Sequence, residues 1–212
     1  QQQSKSEEGF GDSGLCNINV NCPEGDDWQN PKRSVGLILS QQGTRLCTGA
    51  LINNARNDCT PLFLTANHCV DYPTEPETWL FMFNYESPDC NNNDGPTNQT
   101  VSGATLLANS FASDFALLEL SEPIPPDYNV WFSGWDNANT PVAICACIHH
   151  PKGDIKKISL NDDLLTESSG GSGVPNSHWR IDGWDAGTTE GGSSGSPLYN
   201  QTGLIIGQLY GG

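Results

Sequence analysis

The sequence predicts an all-β protein made of antiparallel strands. Short apolar runs are separated by turn-forming residues, and the 212 residues include 23 Gly and 14 Pro. No long segment repeats its apolar residues at helical spacing. There is also no repeat of fixed period, which argues against a propeller or a solenoid. An antiparallel sandwich or barrel is therefore the expected architecture.

The apolar runs identify the strands, because they are rich in Leu, Ile, Val or aromatic residues and are separated by turn signals. The Pro-rich stretch 121–126 interrupts the series and divides it into two halves. Residues 1–14 are polar and Gly-rich, and are expected to form a flexible tail or the remnant of a pro-segment. We expect strands at 34–39, 46–52, 61–66, 78–85 and 115–120 in the first half, and at 129–135, 142–148, 157–160, 179–181 and 204–210 in the second.

The charge excludes several classes of partner. The chain has 9 Lys and Arg against 25 Asp and Glu, a formal net charge of −16. Nucleic acid is not an expected partner, because contacts to phosphates need basic side chains. The acidic surface also disfavours binding to an anionic membrane leaflet. No apolar run approaches the roughly 20 residues that a membrane-spanning helix needs.

Eight cysteines indicate disulfide bonds. No Cys-x-x-Cys pair is present, and Cys145 and Cys147 are the only closely spaced cysteines, so a zinc ribbon is not expected. So many cysteines in a chain of this size are typical of an oxidising compartment. We therefore expect a secreted protein, whose numbering would then begin after processing or at an engineered boundary.

Three segments carry residues suited to nucleophilic catalysis. His68 ends one apolar strand, Asp114 precedes another, and Ser194 lies in the Gly/Ser-rich loop 190–197. Taken singly, each has a plain structural interpretation: a core histidine, a turn aspartate and a flexible loop. Taken together, they supply the base, the orienting carboxylate and the nucleophile of acyl transfer. Because they are far apart in sequence, only a closed fold can bring them together.

The glycines around Ser194 meet a second chemical requirement. Acyl transfer develops negative charge on the carbonyl oxygen, and backbone N–H groups must point at that oxygen. We expect the N–H groups of Gly192 and Ser194 to form this oxyanion hole.

The sequence resembles a known family at these motifs. Thr-Ala-Asn-His-Cys at 65–69, Ser-Asp-Phe-Ala-Leu-Leu at 113–118 and Gly-Ser-Ser-Gly-Ser-Pro at 192–197 are similar to the His, Asp and Ser signatures of chymotrypsin-fold serine endopeptidases. The bacterial lysyl endopeptidase branch is similar also at segments 16–26, 148–151 and 207–212. The resemblance extends from about Gly11 to Gly212.

The resemblance implies two packed antiparallel β-barrels of the chymotrypsin type, with the site in the cleft between them. Residues 15–121 would form the first barrel, with His68 as general base and Asp114 as its orienting partner. Residues 122–212 would form the second barrel, with Ser194 as nucleophile. It implies a protein or peptide substrate, and we expect a monomer without cofactor or metal.

The resemblance also implies the substrate-binding residues. Leu209, Tyr210 and Gly211 would lie on an edge strand that pairs with an extended substrate backbone. Thr188, six residues before Ser194, stands where trypsin-like enzymes carry the residue at the floor of the specificity pocket. Lysyl endopeptidases take their lysine-selecting acid from a loop that would follow the end of this chain.

Several hypotheses about specificity and activity therefore stay open. The first hypothesis is an endopeptidase that prefers Lys or Arg before the cleaved bond. A glutamyl endopeptidase is an alternative, although those enzymes carry His where this chain has Tyr210. A catalytically silent binding module is the other alternative, because the second barrel is expected to be incomplete at its C-terminus. Ser193 replaces the Asp that captures a new N-terminus in trypsin-like zymogens, so maturation is not expected to use that switch.

The resemblance pairs some of the cysteines. It implies Cys47–Cys69 and Cys22–Cys90 disulfides, and it pairs Cys16 with a cysteine beyond residue 212. Cys59 could bridge to either Cys145 or Cys147, which share one face of a strand.

Other candidate features carry no predicted site. His149 and His150 are adjacent on a strand and face opposite sides, so a shared metal ion is not expected. The segment 89–95 lacks the glycine position and the final glutamate of a calcium loop. His178 is assigned no role.

Overall fold

The computed structural model describes residues 12–40, 44–71, 75–171 and 173–211. Most of the predicted N-terminal tail therefore lies outside the described residues. The described residues are mainly β-strands joined by turns, so the all-β prediction is confirmed. The strands are β1 (Ile18–Asn19), β2 (Val35–Leu39), β3 (Arg45–Ile52), β4 (Leu62–Ala66), β5 (Leu80–Phe83), β6 (Thr100–Ser102), β7 (Ala104–Ser110), β8 (Phe115–Leu120), β9 (Cys145–His149), β10 (Lys157–Asn161), β11 (Thr166–Ser168), β12 (His178–Arg180), β13 (Pro197–Asn200) and β14 (Ile205–Gln208).

The helices are short. In the part of the chain that the structure describes, the α-helix α1 (Asn67–Val70) is a single turn, and no helix has the length and apolar character to cross a membrane. Each 3₁₀ helix begins with a proline, whose fixed φ suits a first helical position. The 3₁₀ helices are Pro23–Trp28, Pro31–Ser34, Pro76–Thr78, Pro126–Tyr128 and Pro151–Gly153.

The first sheet has seven antiparallel strands in the order β6-β5-β2-β3-β4-β8-β7. Its strand β2, Val-Gly-Leu-Ile-Leu, is buried at every position. Ile38 packs with the aromatic cluster around Phe63 and Phe81, while Leu37 packs with Met82 on the other face. A continuous apolar run, rather than an alternating one, is what a strand covered on both faces requires.

The second sheet has five antiparallel strands in the order β1-β10-β9-β13-β14, and β11 and β12 form a separate two-stranded sheet. Strand β9, Cys-Ala-Cys-Ile-His, is buried throughout. The face of β9 that carries Ala146 and Ile148 packs with Tyr199, and Cys145 and Cys147 on its other face pack with Leu198. The chain thus buries both faces at the centre of this sheet as well.

The two sheets share a packed junction. Val35 and Ala50 of the first sheet lie in one apolar cluster with Ile148 and Tyr199 of the second. The Tyr199 hydroxyl is 2.7 Å from Ser34 Oγ, which satisfies both polar groups inside this buried junction. Strand β1, which belongs to the range predicted for the first barrel, pairs with β10 of the second sheet. The predicted boundary at residue 121 stays a prediction.

The strand predictions were wrong at 129–135. Asn129 adopts a left-handed conformation with φ of +49°, which ends the 3₁₀ helix Pro126–Tyr128 instead of starting a strand. The segment then makes only isolated bridges through Ser133 and Trp135. Strand β7 was missed, because five of its seven residues are exposed and its sequence carries no inward-facing apolar stripe.

The structure contains two of the implied disulfides. Cys22–Cys90 and Cys47–Cys69 are both formed, which confirms those pairings. The Cys59 bridge was wrong: Cys59 is exposed in the loop between β3 and β4 with φ of +59°, whereas Cys145 and Cys147 are buried in β9. Cys16 is exposed and unpaired within the described residues.

Candidate active site

Two hydrogen bonds join His68 and Asp114. His68 lies in α1, directly after β4, and its Nδ1 is 2.7 Å from Asp114 Oδ2. The backbone N–H of His68 donates to the other carboxylate oxygen, Oδ1, at 2.9 Å. The carboxylate therefore holds both the ring and the main chain of one residue, which fixes the direction of the imidazole.

Asp114 is held in a demanding conformation. It is the last residue of the β7–β8 turn, is buried, and has φ of +52°. Aspartate tolerates this left-handed region better than most residues do. Its carbonyl oxygen accepts hydrogen bonds from Asn67 N–H and Gln208 Nε2, both at 2.7 Å. Because Gln208 comes from β14, the backbone of Asp114 is held by both sheets.

The Ser194 loop packs against the end of the His68 strand. Thr48 N–H donates to the Ser194 carbonyl at 2.8 Å. Gly195 has φ of +79°, and a Cβ on it would lie 2.7 Å from the backbone nitrogen of Ala66. Only glycine allows this close approach. Ser194 is thereby placed beside the strand end that carries His68, although within the described residues no hydrogen bond joins its hydroxyl to the imidazole. Catalytic hydrogen bonds are often long in ligand-free enzymes.

The backbone N–H groups of the loop divide into two sets. Ser193 N–H donates to Glu190 O at 3.0 Å, and Gly195 N–H donates to Leu209 O at 2.8 Å. Among the described residues, no hydrogen bond uses the N–H of Gly192 or of Ser194. Gly192 has φ of +92° and its carbonyl accepts from Thr48 Oγ1 at 2.9 Å. The two N–H groups expected to face an oxyanion are thus the ones without an internal acceptor.

A cleft of about 830 Å³ lies beside this arrangement. Leu209, Tyr210 and Gly211 line it, and Thr188 is not among its lining residues. Their role in substrate binding stays a prediction. Leu209 uses its own N–H on Ser196 O at 2.8 Å, and its carbonyl accepts from Gly195. In the described chain, the main-chain groups of Tyr210 and Gly211 make no hydrogen bond.

The family model of the lysyl endopeptidase C-terminal domain matches residues 10–212. The chain belongs to this family. A relative named lysyl endopeptidase, from Pseudomonas aeruginosa, is 31% identical over 224 residues. That match covers 97% of this chain and 47% of the relative, so the chain spans about half the length of that relative.

Solved protease structures share the fold at low sequence identity. An inactive form of Rv3671c from M. tuberculosis has a TM-score of 0.55 at 16% identity, covering 89% of this chain and 82% of that one. The MamO protease domain from Magnetospirillum magneticum has a TM-score of 0.56 at 14% identity, covering 85% of each chain. These likenesses confirm the predicted chymotrypsin-like fold class.

This family member brings Cys47, His68 and Cys69 together, with their potential ligand atoms within 4.8 Å of one another. The two cysteines are joined as a disulfide, so they offer no thiolate to a metal ion. The disulfide instead ties β3 to α1 and supports the segment that carries His68.

Two histidines in this family member have contacts that sequence reasoning missed. His178 lies with its ring 5.3 Å from that of Tyr210, and the same tyrosine ring is 6.1 Å from that of His68. His149 is fully buried beneath the Ser194 loop, with Nδ1 2.8 Å from Ser193 Oγ. No short-range signal marks these contacts, because the partners Tyr210, His68 and Ser193 are distant in sequence.

The start of the described chain is bound to the same loop. Gly14 N–H and Asn17 Nδ2 donate to Glu190 Oε2 at 2.9 and 2.7 Å. Lys152 Nζ lies 3.1 Å from the other carboxylate oxygen. The Gly14 hydrogen bond, with those from Lys152 and Asn17, lowers the pKa of Glu190. Gly14, which falls within the predicted tail, is therefore part of the folded body.

Proposed function

We propose that this domain is the catalytic part of a serine endopeptidase that cleaves peptide bonds through an acyl-enzyme. The observation that supports this most strongly is the oriented His68–Asp114 pair beside a Ser194 loop whose Gly192 and Ser194 N–H groups have no acceptor among the described residues. Membership of the lysyl endopeptidase family and the protease fold support the same conclusion.

The proposed reaction has two steps, formation of an acyl-enzyme and its hydrolysis, and the same residues act in both. Ser194 Oγ attacks the substrate carbonyl while His68 Nε2 takes the hydroxyl proton. Asp114 stabilises the resulting imidazolium by accepting a hydrogen bond from His68 Nδ1–H. The N–H groups of Gly192 and Ser194 bind the oxyanion. His68 then gives the proton to the leaving amine, which leaves an acyl-enzyme. Water, deprotonated by His68, releases the acid and regenerates the Ser194 hydroxyl.

The proposed substrate is an extended peptide that pairs with Tyr210 and Gly211. We propose Lys or Arg before the cleaved bond, which the name of the Pseudomonas aeruginosa relative supports. Thr188 is an uncharged residue, so it would not itself select a basic side chain. We also propose that the protein is secreted, since two disulfides are typical of an oxidising compartment.

Labelling with a fluorophosphonate tests the activity. The intact protein should be labelled stoichiometrically at Ser194, and Ser194→Ala should abolish both labelling and peptide hydrolysis. Ser102→Ala is the matched control: that hydroxyl bonds Glu122 Oε1 at 3.0 Å, away from the site, and should change neither property. An intact, folded protein that is never labelled would indicate a silent binding module instead.

A cleavage profile on a peptide library tests the specificity. Enrichment of Lys or Arg before the cleaved bond supports the proposal. Enrichment of Glu or Asp at that position would overturn it in favour of a glutamyl endopeptidase.

A further inference from the structure

The imidazole of His149 lies between two serine hydroxyls inside the second sheet. His149 ends β9 and is fully buried. Its Nδ1 is 2.8 Å from Ser193 Oγ, and its Nε2 is 3.1 Å from Ser159 Oγ. Ser159 comes from β10, where His149 pairs with Lys157, so Ser159 is a diagonal neighbour on the same face. Ser193 comes from the loop that precedes the nucleophile.

The two serines reach opposite ends of one segment. Ser159 Oγ donates to the carbonyl of Thr188 at 2.9 Å. Ser193 Oγ accepts from Glu190 N–H at 3.3 Å, and Ser193 directly precedes Ser194. The segment 188–193 is therefore held at both ends by side chains that meet at a single imidazole.

Counting donors and acceptors sets the direction of these bonds. The single hydroxyl proton of Ser159 is donated to the Thr188 carbonyl oxygen, so Ser159 Oγ must accept a hydrogen bond from His149 Nε2–H. With its proton on Nε2, the neutral ring accepts at Nδ1 from Ser193 Oγ–H. Each side-chain polar atom of Ser193, His149 and Ser159, and the carbonyl oxygen of Thr188, then has a partner. The opposite tautomer would leave the Thr188 carbonyl and the Ser193 proton without these partners.

We infer that His149 is a positioning residue that couples the oxyanion-binding end of the loop to the Thr188 end, through Ser193 and Ser159. This inference rests on the proposed function and extends it, because it names a residue outside the catalytic three that sets the geometry of both ends. We call the chain Ser193–His149–Ser159–Thr188 the His149 relay.

The surroundings of His149 favour the uncharged ring that the relay requires. Burial lowers the pKa of His149 to about 3, and the charges of His150 and Lys157 act in the same direction. A protonated ring would present two donors, and the Ser193 proton would lose its acceptor. His150 faces away from the relay and bonds the Asp154 carbonyl at 2.9 Å.

A double-mutant cycle in the intact protein tests the coupling. Ser193→Ala should lower kcat about tenfold, because a buried acceptor on His149 loses its partner beside the oxyanion hole. Ser159→Ala should raise KM about tenfold, because the Thr188 carbonyl loses its donor. Since both changes break one relay, kcat/KM of the double variant should fall by much less than the roughly hundredfold product of the two single effects on kcat/KM. Multiplicative effects in the double variant would overturn the inference, because residues without a shared partner act independently.

Two further variants separate positioning from general stability. In His149→Gln, the amide can replace the donor to Ser159 but cannot also reach Ser193. The double variant His149→Gln/Ser193→Ala should therefore differ from His149→Gln by less than twofold in kcat. Ser34→Ala removes a buried hydroxyl bonded to Tyr199 and should leave kcat and KM unchanged. An equal loss in Ser34→Ala would show that any buried serine has the same effect, and would overturn the inference.

A measurement without turnover distinguishes failure of this inference from failure of the proposed function. Nitrogen NMR at neutral pH should show His149 uncharged and protonated at Nε2, and Ser159→Ala should shift the amide signals of Gly192 and Ser194. A ring that is charged or protonated at Nδ1, or amide signals that do not move, would overturn the relay. Absence of Ser194 labelling in the same sample would instead count against the endopeptidase.

Discussion

The proposed base, His68, and the proposed nucleophile, Ser194, are supported by different kinds of contact. His68 and Asp114 lie next to strands of the first sheet, whose core is rich in aromatic rings. The ring centroids of Phe63 and Phe81 in that core are 5.0 Å apart, edge to face. The Cys47–Cys69 disulfide adds a covalent support there. Ser194 stands on a loop over the second sheet, where buried polar groups such as His149 and Ser159 lie beneath it.

The difference follows from what each part must do. A catalytic base and its carboxylate need a fixed direction, and packed rings with little freedom provide a rigid platform. A loop that presents bare N–H groups has few side chains to bury, so its shape must come from hydrogen bonds. Hydrocarbon packing is tolerant of direction, whereas a buried hydrogen-bond network is specific in geometry and sensitive to the loss of any one member.

The largest expected effect comes from Asp114→Asn, which breaks the orientation of the base. We expect kcat to fall about 10⁴-fold, because an amide no longer holds His68 in the tautomer that accepts the serine proton. Steady-state kinetics of peptide hydrolysis measure it. The exposed Asp127→Asn is the matched control and should retain full activity. A loss below about tenfold in Asp114→Asn would show that the carboxylate does not orient the base.

The next effect tests the packed platform of the first sheet. Phe63→Ala should lower the free energy of unfolding by about 4 kcal/mol, because the ring is fully buried against Phe81 and Phe83. Phe111, which is 74% exposed, provides the control: Phe111→Ala should change the free energy by less than about 0.5 kcal/mol. Chemical denaturation measures both, and equal losses would contradict the packing argument.

A smaller effect tests the buried charges where the two halves meet. Glu86 pairs with Lys156 at 3.0 Å and with Lys32 at 2.7 Å. Burial opposes ionisation of Glu86, but the lysine charges and hydrogen bonds outweigh it and lower its pKa to about 2. A carboxyl with a lowered pKa stabilises the fold above its unfolded-state pKa, and that contribution disappears as the pH falls through the folded-state value.

We therefore expect the fold to lose up to about 3 kcal/mol through Glu86 as the pH falls from about 4.5 toward about 2. Denaturant titration at a series of pH values measures this loss. Glu86→Gln should be less stable at neutral pH and should lack this part of the acid dependence. Parallel pH profiles for the two proteins would show that Glu86 is not linked to stability.

The residues of the proposed site are marked more clearly in the sequence than the residues that support it. His68 follows a strand, Asp114 precedes one and Ser194 lies among glycines, and short motifs with a specific family resemblance mark all three, although their catalytic roles stay predictions. Strand β7 was missed because its exposed face has no periodic apolar signal. His149 was considered only as a metal ligand, since a histidine in an apolar run does not show which hydroxyls lie across the neighbouring strands.

The sequence by itself determined the strand-rich architecture, the chemical groups available for acyl transfer and, through family resemblance, two disulfide pairs. These follow from residue type and local spacing, which a single chain displays directly. Only the tertiary structure decided that Gln208 bonds the Asp114 carbonyl and that His149 joins Ser193 to Ser159. It also decided that the N–H groups of Gly192 and Ser194 find no acceptor within the part of the chain that the structure describes. The physical reason is that buried hydrogen bonds depend on strand register and on the packing of distant segments, neither of which local spacing specifies.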